Sequence, residues 1–202
     1  MLRLFHCPGS CSLASLIALE EAGASFEKVV VNLVAGEQNT PEFLAVNPKG
    51  RVPALATDRG VLTESPAILT FIAQSFPEAG LAPLDDPFSL ARMNSFNAFI
   101  ASSLQPAFGP FGRPQRYSDE VAAHDGLKRK ALENVCVHLG LIEHELLDGP
   151  WVLGNQFSLA DGYLFAFSAL IGRLNLDPTQ YPGILEHKGR TESRPAVKRA
   201  LA

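Results

Sequence analysis

The 202 residues predict an α/β N-terminal domain followed by an all-helical domain, and three observations carry that prediction. A short apolar strand (Leu2, Leu4, Phe5) precedes a helical face of Leu13, Leu16, Ile17 and Leu19, and then comes the β-branched run Lys28-Val29-Val30-Val31, which together read as a βαβ unit. A breaker-rich stretch from Glu78 to Asp86 lies between Pro77 and Pro87 and reads as a domain boundary. Beyond it, apolar residues recur only at helical spacing. The expected organisation is therefore residues 1–78 as the α/β domain, 79–87 as linker and 88–202 as the helical domain.

Composition narrows the class. With 47% hydrophobic and 19% charged residues the chain has the make-up of an ordinary globular protein. A net charge of −4 without any polybasic run argues against nucleic-acid or anionic-membrane partners. The three cysteines, at 7, 11 and 136, are an odd number, which argues against a disulfide framework and for a reducing compartment. No signal-peptide pattern and no run of about 18 apolar residues is found, so the expectation is a cytoplasmic protein. The spacing Cys7-x-x-x-Cys11 is not that of a zinc site and the five histidines do not cluster, so no metal is expected.

Taken in order, strand one runs into the turn His6-Cys7-Pro8-Gly9-Ser10-Cys11-Ser12. Cys11 is placed among the first residues of the following helix, where free N–H groups and the helix dipole favour a thiolate. A small buried thiol packing like alanine is the alternative. Gly23 ends the helix, and the Val-rich strand follows in parallel. Thr40-Pro41 reads as an N-cap and first helical residue of a short helix. Next, Asn47-Pro48-Lys49-Gly50-Arg51-Val52-Pro53 leads into a strand, and the Val52–Pro53 bond is predicted cis, which leaves the Val52 N–H and C=O free to pair with an extended peptide-like ligand. Pro53–Ala56 and Val61–Leu62 form a hairpin around Asp58-Arg59-Gly60. Glu64-Ser65-Pro66 opens a helix with Ser65 as its cap. That end can hold a carboxylate and Glu64 an amine, or both residues can serve the helix alone.

In the second domain, helices are expected over Phe88–Leu104 and Ser118–Leu147, with a break or kink between them at Gln105–Pro114 whose Phe108 and Phe111 face the space between the domains. Ser158 with Asp161 forms a capping box at the start of an almost uncharged helix, the buried centre of this domain, and Asp161 reads as structural. Two short helices follow Pro182 and Pro195.

These parts together identify a family. The sequence resembles the cytosolic glutathione transferases, and Pro8-Gly9-Ser10-Cys11-Ser12 with Asn47-Pro48-Lys49-Gly50-Arg51-Val52-Pro53 is most similar to their bacterial beta class. The resemblance implies a thioredoxin-like N-terminal domain with a mixed four-stranded sheet, an all-α C-terminal domain and a homodimer with glutathione, as co-substrate, in the cleft. It implies that Cys11 meets the glutathione sulfur and that Ser10 or Ser12 supplies a hydroxyl. Val52, beside Pro53, would pair with the cysteinyl backbone, and Glu64 and Ser65 would hold the γ-glutamyl end. Phe108 and Phe111 would meet a small hydrophobic electrophile. Three positions depart from the beta class: His6 replaces a tyrosine, Val34-Ala35-Gly36-Glu37 lacks a lysine, and Gln105 stands where a histidine would approach the sulfur. Glutamine donates a hydrogen bond but shuttles no proton near neutrality, so weaker glutathione binding is expected. The leading expectation is a transferase conjugating the glutathione thiol to apolar electrophiles. Thiol–disulfide reduction or peroxidase chemistry at Cys11, and a non-catalytic binding module, are the alternatives.

Overall fold

The computed structural model describes residues 1–202. Four strands, β1 (Leu2–His6), β2 (Phe26–Val30), β3 (Ala54–Thr57) and β4 (Gly60–Thr63), form one mixed sheet in the order β2-β1-β3-β4. β1 and β2 run parallel, joined through helix α1 (Leu13–Glu21) as the sequence predicts. β3 returns antiparallel to β1, with Leu4 opposite Leu55, and turns tightly into β4. The short helix α2 (Pro41–Val46) starts on Thr40, whose Oγ1 accepts the Phe43 N–H. Helix α3 (Ser65–Ser75) packs on the sheet beside α1.

A 3₁₀ turn at Pro77–Ala79 leads to the helical domain, which opens with α4 (Pro87–Phe99) capped by Asp86. Where a break or kink is expected, at Gln105–Pro114, the helix is not broken at Gln105. A single π-helical turn at Ile100–Leu104 carries the chain straight into α5 (Gln105–Gly112). The wider turn shifts the hydrogen-bond register ahead of Pro106, which sits in the first turn of α5 and needs no N–H partner there. α6 (His124–Leu141) begins six residues later than the periodicity suggests, after a 3₁₀ turn, and ends in a second π turn at Ile142–Leu146.

Helix α7 (Leu159–Ser168) is the centre of the domain: nine of its ten residues are buried. The capping box of Ser158 and Asp161 is present, and Asp161 is structural. Its fully buried carboxylate accepts the Val152 and Ser158 N–H groups, both at 2.7 Å, and contacts His187 Nε2 at 2.8 Å. The chain closes with α8 (Leu170–Arg173), α9 (Pro182–Glu192) and α10 (Pro195–Leu201). A continuous core of 33 buried residues runs through both domains, from Leu4, Ile17 and Leu69 to Met93, Leu139 and Leu164. α1 rests directly on α7 because Gly162 carries no side chain; a Cβ there would come within 3.2 Å of Ile17. No helix is long and apolar enough to cross a membrane.

Candidate active site

The turn between β1 and α1 is held by hydroxyls. Ser10 Oγ donates to the Cys7 carbonyl at 2.8 Å, Ser12 Oγ accepts the Cys7 N–H at 3.1 Å, and Ser12 Oγ lies 2.7 Å from both Ser10 Oγ and His6 Nδ1. All four contacts are satisfied at once when Ser12 donates to Ser10 and His6 carries its proton on Nδ1. Ser12 is fully buried, and neither serine lines the cleft. The structure thus puts Ser10 and Ser12 in the framework that shapes the turn, away from the position of a hydroxyl facing a ligand. The reason is local: the tight turn leaves the Cys7 N–H and C=O without ladder partners, and the nearest hydroxyls take them.

Cys11 projects from this turn into the cleft. Its thiol donates to the Val52 carbonyl at 3.6 Å and accepts from Gln105 Nε2 at 3.6 Å. Gln105 is in turn fixed by Tyr163, whose hydroxyl donates to Oε1 at 3.4 Å. Burial pushes the Cys11 thiol above its ordinary range, outweighing the contacts with Ser65 and Gln105 that pull it down. The expectation of a dipole-stabilised thiolate is therefore corrected. α1 begins only at Leu13, so Cys11 lies before the helix, and desolvation wins over the dipole. At neutral pH Cys11 is a thiol and a hydrogen-bond donor.

The opposite rim comes from the β3 entrance and the α3 start. Val52–Pro53 is cis, as the sequence predicts. Val52 precedes the paired stretch of β3, so its N–H is not used by the sheet. Ser65 turns out to be the first residue of α3 and not its cap. The cap position belongs to Glu64, at φ 73° and ψ 120°. A non-glycine residue in that conformation costs on the order of 1–3 kcal/mol and is found where a site needs it. Its carboxylate meets Lys49 Nζ at 2.6 Å.

Cys11, Val52, Pro53, Glu64, Ser65 and Gln105 line one cavity of about 290 Å³ between the domains. Phe108 and Phe111 do not line it. They stack on each other, centroids 6.0 Å apart, against the core. At roughly 100° per residue Phe111 lies about 120° around α5 from Gln105, so a helix that does not break at Gln105 turns it away. The face that continues from Gln105 is Gly109, and with Tyr117 it lines the cavity where the phenylalanines were expected. Arg51, Tyr117 and Tyr163 are lining residues that the sequence alone does not single out; Arg51 adjoins Val52, while Tyr117 and Tyr163 come from other elements and carry no local signal. No group of three or more His, Cys, Asp or Glu side chains is placed to hold a metal ion.

Such a fold and cleft define a two-domain protein of the thioredoxin-like class that gathers a cysteine, the unpaired Val52 N–H ahead of β3 and an acidic helix start around one cavity. The family model for the glutathione S-transferase N-terminal domain matches residues 1–74, and that for the C-terminal domain matches residues 99–195. The chain is 36% identical to glutathione S-transferase GstA of Escherichia coli, over all of this chain and 98% of that protein. A glutathione transferase homologue from Sulfitobacter, solved with bound glutathione, superposes with a TM-score of 0.94 at 36% identity, covering 98% of this chain and 96% of that one. A beta class glutathione S-transferase from Sphingomonas chungbukensis gives 0.87 at 41% identity, with 98% and 96% covered. The chain belongs to the glutathione S-transferase family.

Proposed function

We propose that this glutathione transferase binds glutathione extended along Val52 and transfers its sulfur to the electrophilic carbon of a small apolar compound. The observation that carries this reading is the gathering of Cys11, Val52, Glu64 and Ser65 around a single cavity. The free Val52 N–H suits the peptide backbone of the cysteinyl unit, and the N–H groups opening α3 with Ser65 suit the γ-glutamyl carboxylate. Glu64 suits the ammonium. Its present partner Lys49 is half exposed, and such a pair is worth at most about 1 kcal/mol, so an ammonium from the ligand can share the carboxylate.

Bound so, the glutathione sulfur lies beside the Cys11 thiol, which donates to the thiolate once the substrate proton has left to solvent. The thiolate forms the new C–S bond, and the leaving group departs with the electron pair of the bond that breaks. No residue at Gln105 takes up the proton; glutamine contributes only its N–H. The raised Cys11 thiol places thiol–disulfide or peroxidase chemistry second, because attack on a disulfide needs the thiolate. A homodimer in the cytoplasm, as in the family it resembles, completes the proposal.

Retention on glutathione-agarose and turnover of a chlorinated nitroarene with glutathione test it together, with a glutathione mixed disulfide as the competing substrate. Conjugation faster than disulfide reduction is expected. At a glutathione concentration 100 times the dissociation constant the folded state should gain about 2.7 kcal/mol. No retention and no thermal shift at millimolar glutathione would leave only a non-catalytic module, and disulfide reduction without conjugation would overturn the transferase reading.

A further inference from the structure

The sequence offers Phe108 and Phe111, in a segment read as a break or kink, for the electrophile, yet the wall of the cavity that continues from Gln105 is made by a missing side chain and a phenol. Gly109 sits inside α5, where glycine is a poor helix former. A Cβ at Gly109 would stand 2.2 Å from Tyr117 Oη and 3.2 Å from its Cζ, so any other residue would push the ring away. Tyr117 reaches this notch from the 3₁₀ turn at Pro114–Arg116, its own N–H bonded to the Pro114 carbonyl at 2.9 Å. The ring is half exposed, open to the cavity. Gly109 follows Gln105 by four residues, on the same face and about 6 Å along the helix. The Tyr117 oxygen therefore lies roughly one helical turn from Gln105, whose side chain bonds the Cys11 sulfur. The other phenol of the cavity, Tyr163, already donates to Gln105.

We propose that Tyr117, seated in the Gly109 notch, is the hydrogen-bond donor to an acceptor oxygen on the electrophile, and that it biases the enzyme toward enones and nitroarenes over alkyl halides. This rests on the conjugation reading above. With an enone, the glutathione thiolate bonds to the β-carbon, the C=C π pair shifts to join the α-carbon to the carbonyl carbon, the C=O π pair moves onto the oxygen, and that oxygen accepts the Tyr117 O–H. The proton that ends on the α-carbon comes from water, and Tyr117 keeps its own. With a chlorinated nitroarene, the charge of the adduct collects on the nitro oxygens until chloride leaves. An alkyl halide builds charge only on the departing halide and offers no oxygen.

The test measures kcat/KM for an enone and for a simple alkyl iodide in the unaltered protein, Tyr117→Phe and Gly109→Ala. The ratio of enone to iodide should fall roughly 10- to 100-fold in Tyr117→Phe, the worth of a hydrogen bond to a developing charge. Gly109→Ala should give a fall in the same direction by displacing the ring. Alanine favours the helix over glycine, and circular dichroism verifies that α5 persists. A ratio unchanged in Tyr117→Phe overturns the assignment of the donor, and a ratio unchanged in Gly109→Ala while Tyr117→Phe loses it overturns the role of the notch. Failure of the unaltered protein to turn over either electrophile overturns the conjugation reading itself, and this assignment with it.

Discussion

Replacing Cys11 by alanine and by serine separates a hydrogen-bond donor from a nucleophile. In the folded protein the thiol is kept neutral by burial and gives its hydrogen to the Val52 carbonyl at 3.6 Å, a long contact that a bound thiolate would win. A hydrogen bond to a charged group contributes about 1.5–3 kcal/mol, and a sulfur donor falls at the weak end. About 1.4 kcal/mol corresponds to one pKa unit, so Cys11→Ala should raise the pKa of bound glutathione by about one unit. Cys11→Ser, which keeps a donor, should raise it less. The assay is ultraviolet absorbance of the thiolate as the glutathione complex is titrated, with conjugation rates over the same range. Below that pKa, Cys11→Ala should run about tenfold slower, and the two proteins should converge at high pH where the substrate is fully ionised. An identical titration in Cys11→Ala would refute the donor role. So would a Cys11–glutathione mixed disulfide accumulating during conjugation, detected by mass spectrometry of the intact protein.

Asp161→Ala strips a fully buried carboxylate from four donors, two of them backbone N–H groups. It should cost about 3–5 kcal/mol, which at roughly 2–4 °C per kcal/mol lowers Tm by about 6–20 °C in calorimetry. His6 is held below its ordinary value, first by desolvation, so the unfolded chain binds the extra proton and stability is lost as pH falls below about 6.5. The decline of Tm between pH 7 and 5 should be shallower in His6→Asn. Glu64→Gln should weaken glutathione binding roughly tenfold in calorimetric titration, yet barely alter binding of an analogue lacking the γ-glutamyl amine. Equal losses for both ligands would remove Glu64 from the amine.

The sheet, the cis-proline entrance, the Thr40 cap and the Ser158–Asp161 box are all legible because each depends on a few neighbouring residues and one dominant force. The alternation of apolar spacing sets α1 between β1 and β2, and no tertiary contact overrides it. What the sequence does not disclose depends on phase or on burial. A five-residue π turn before Pro106 keeps a proline-rich segment helical, and that phase turns Phe111 away while bringing Gly109 forward, with Phe108 and Phe111 stacked together against the core. The protonation of Cys11 follows from how deeply the helical domain covers it, which no local pattern records. Ser10 and Ser12 carry the right chemistry at the right spacing, but the tight turn claims their hydroxyls for its own backbone.

The clasp between α10 and α1 bears on how the chain is made. Arg194 grips Glu21 through two nitrogens, Nη2 at 2.8 Å, and Arg199 Nε holds Glu20 at 2.7 Å and its Nη2 holds the Glu20 carbonyl at 3.1 Å. Glu20 and Glu21 close α1, and their partners lie more than 170 residues downstream. Domains usually fold one by one as they are translated, but here the acidic end of α1 waits for α10. Two arginines of α10 thus complete the acidic end of α1, so the last packing of the thioredoxin-like half includes contacts that only the helical half supplies.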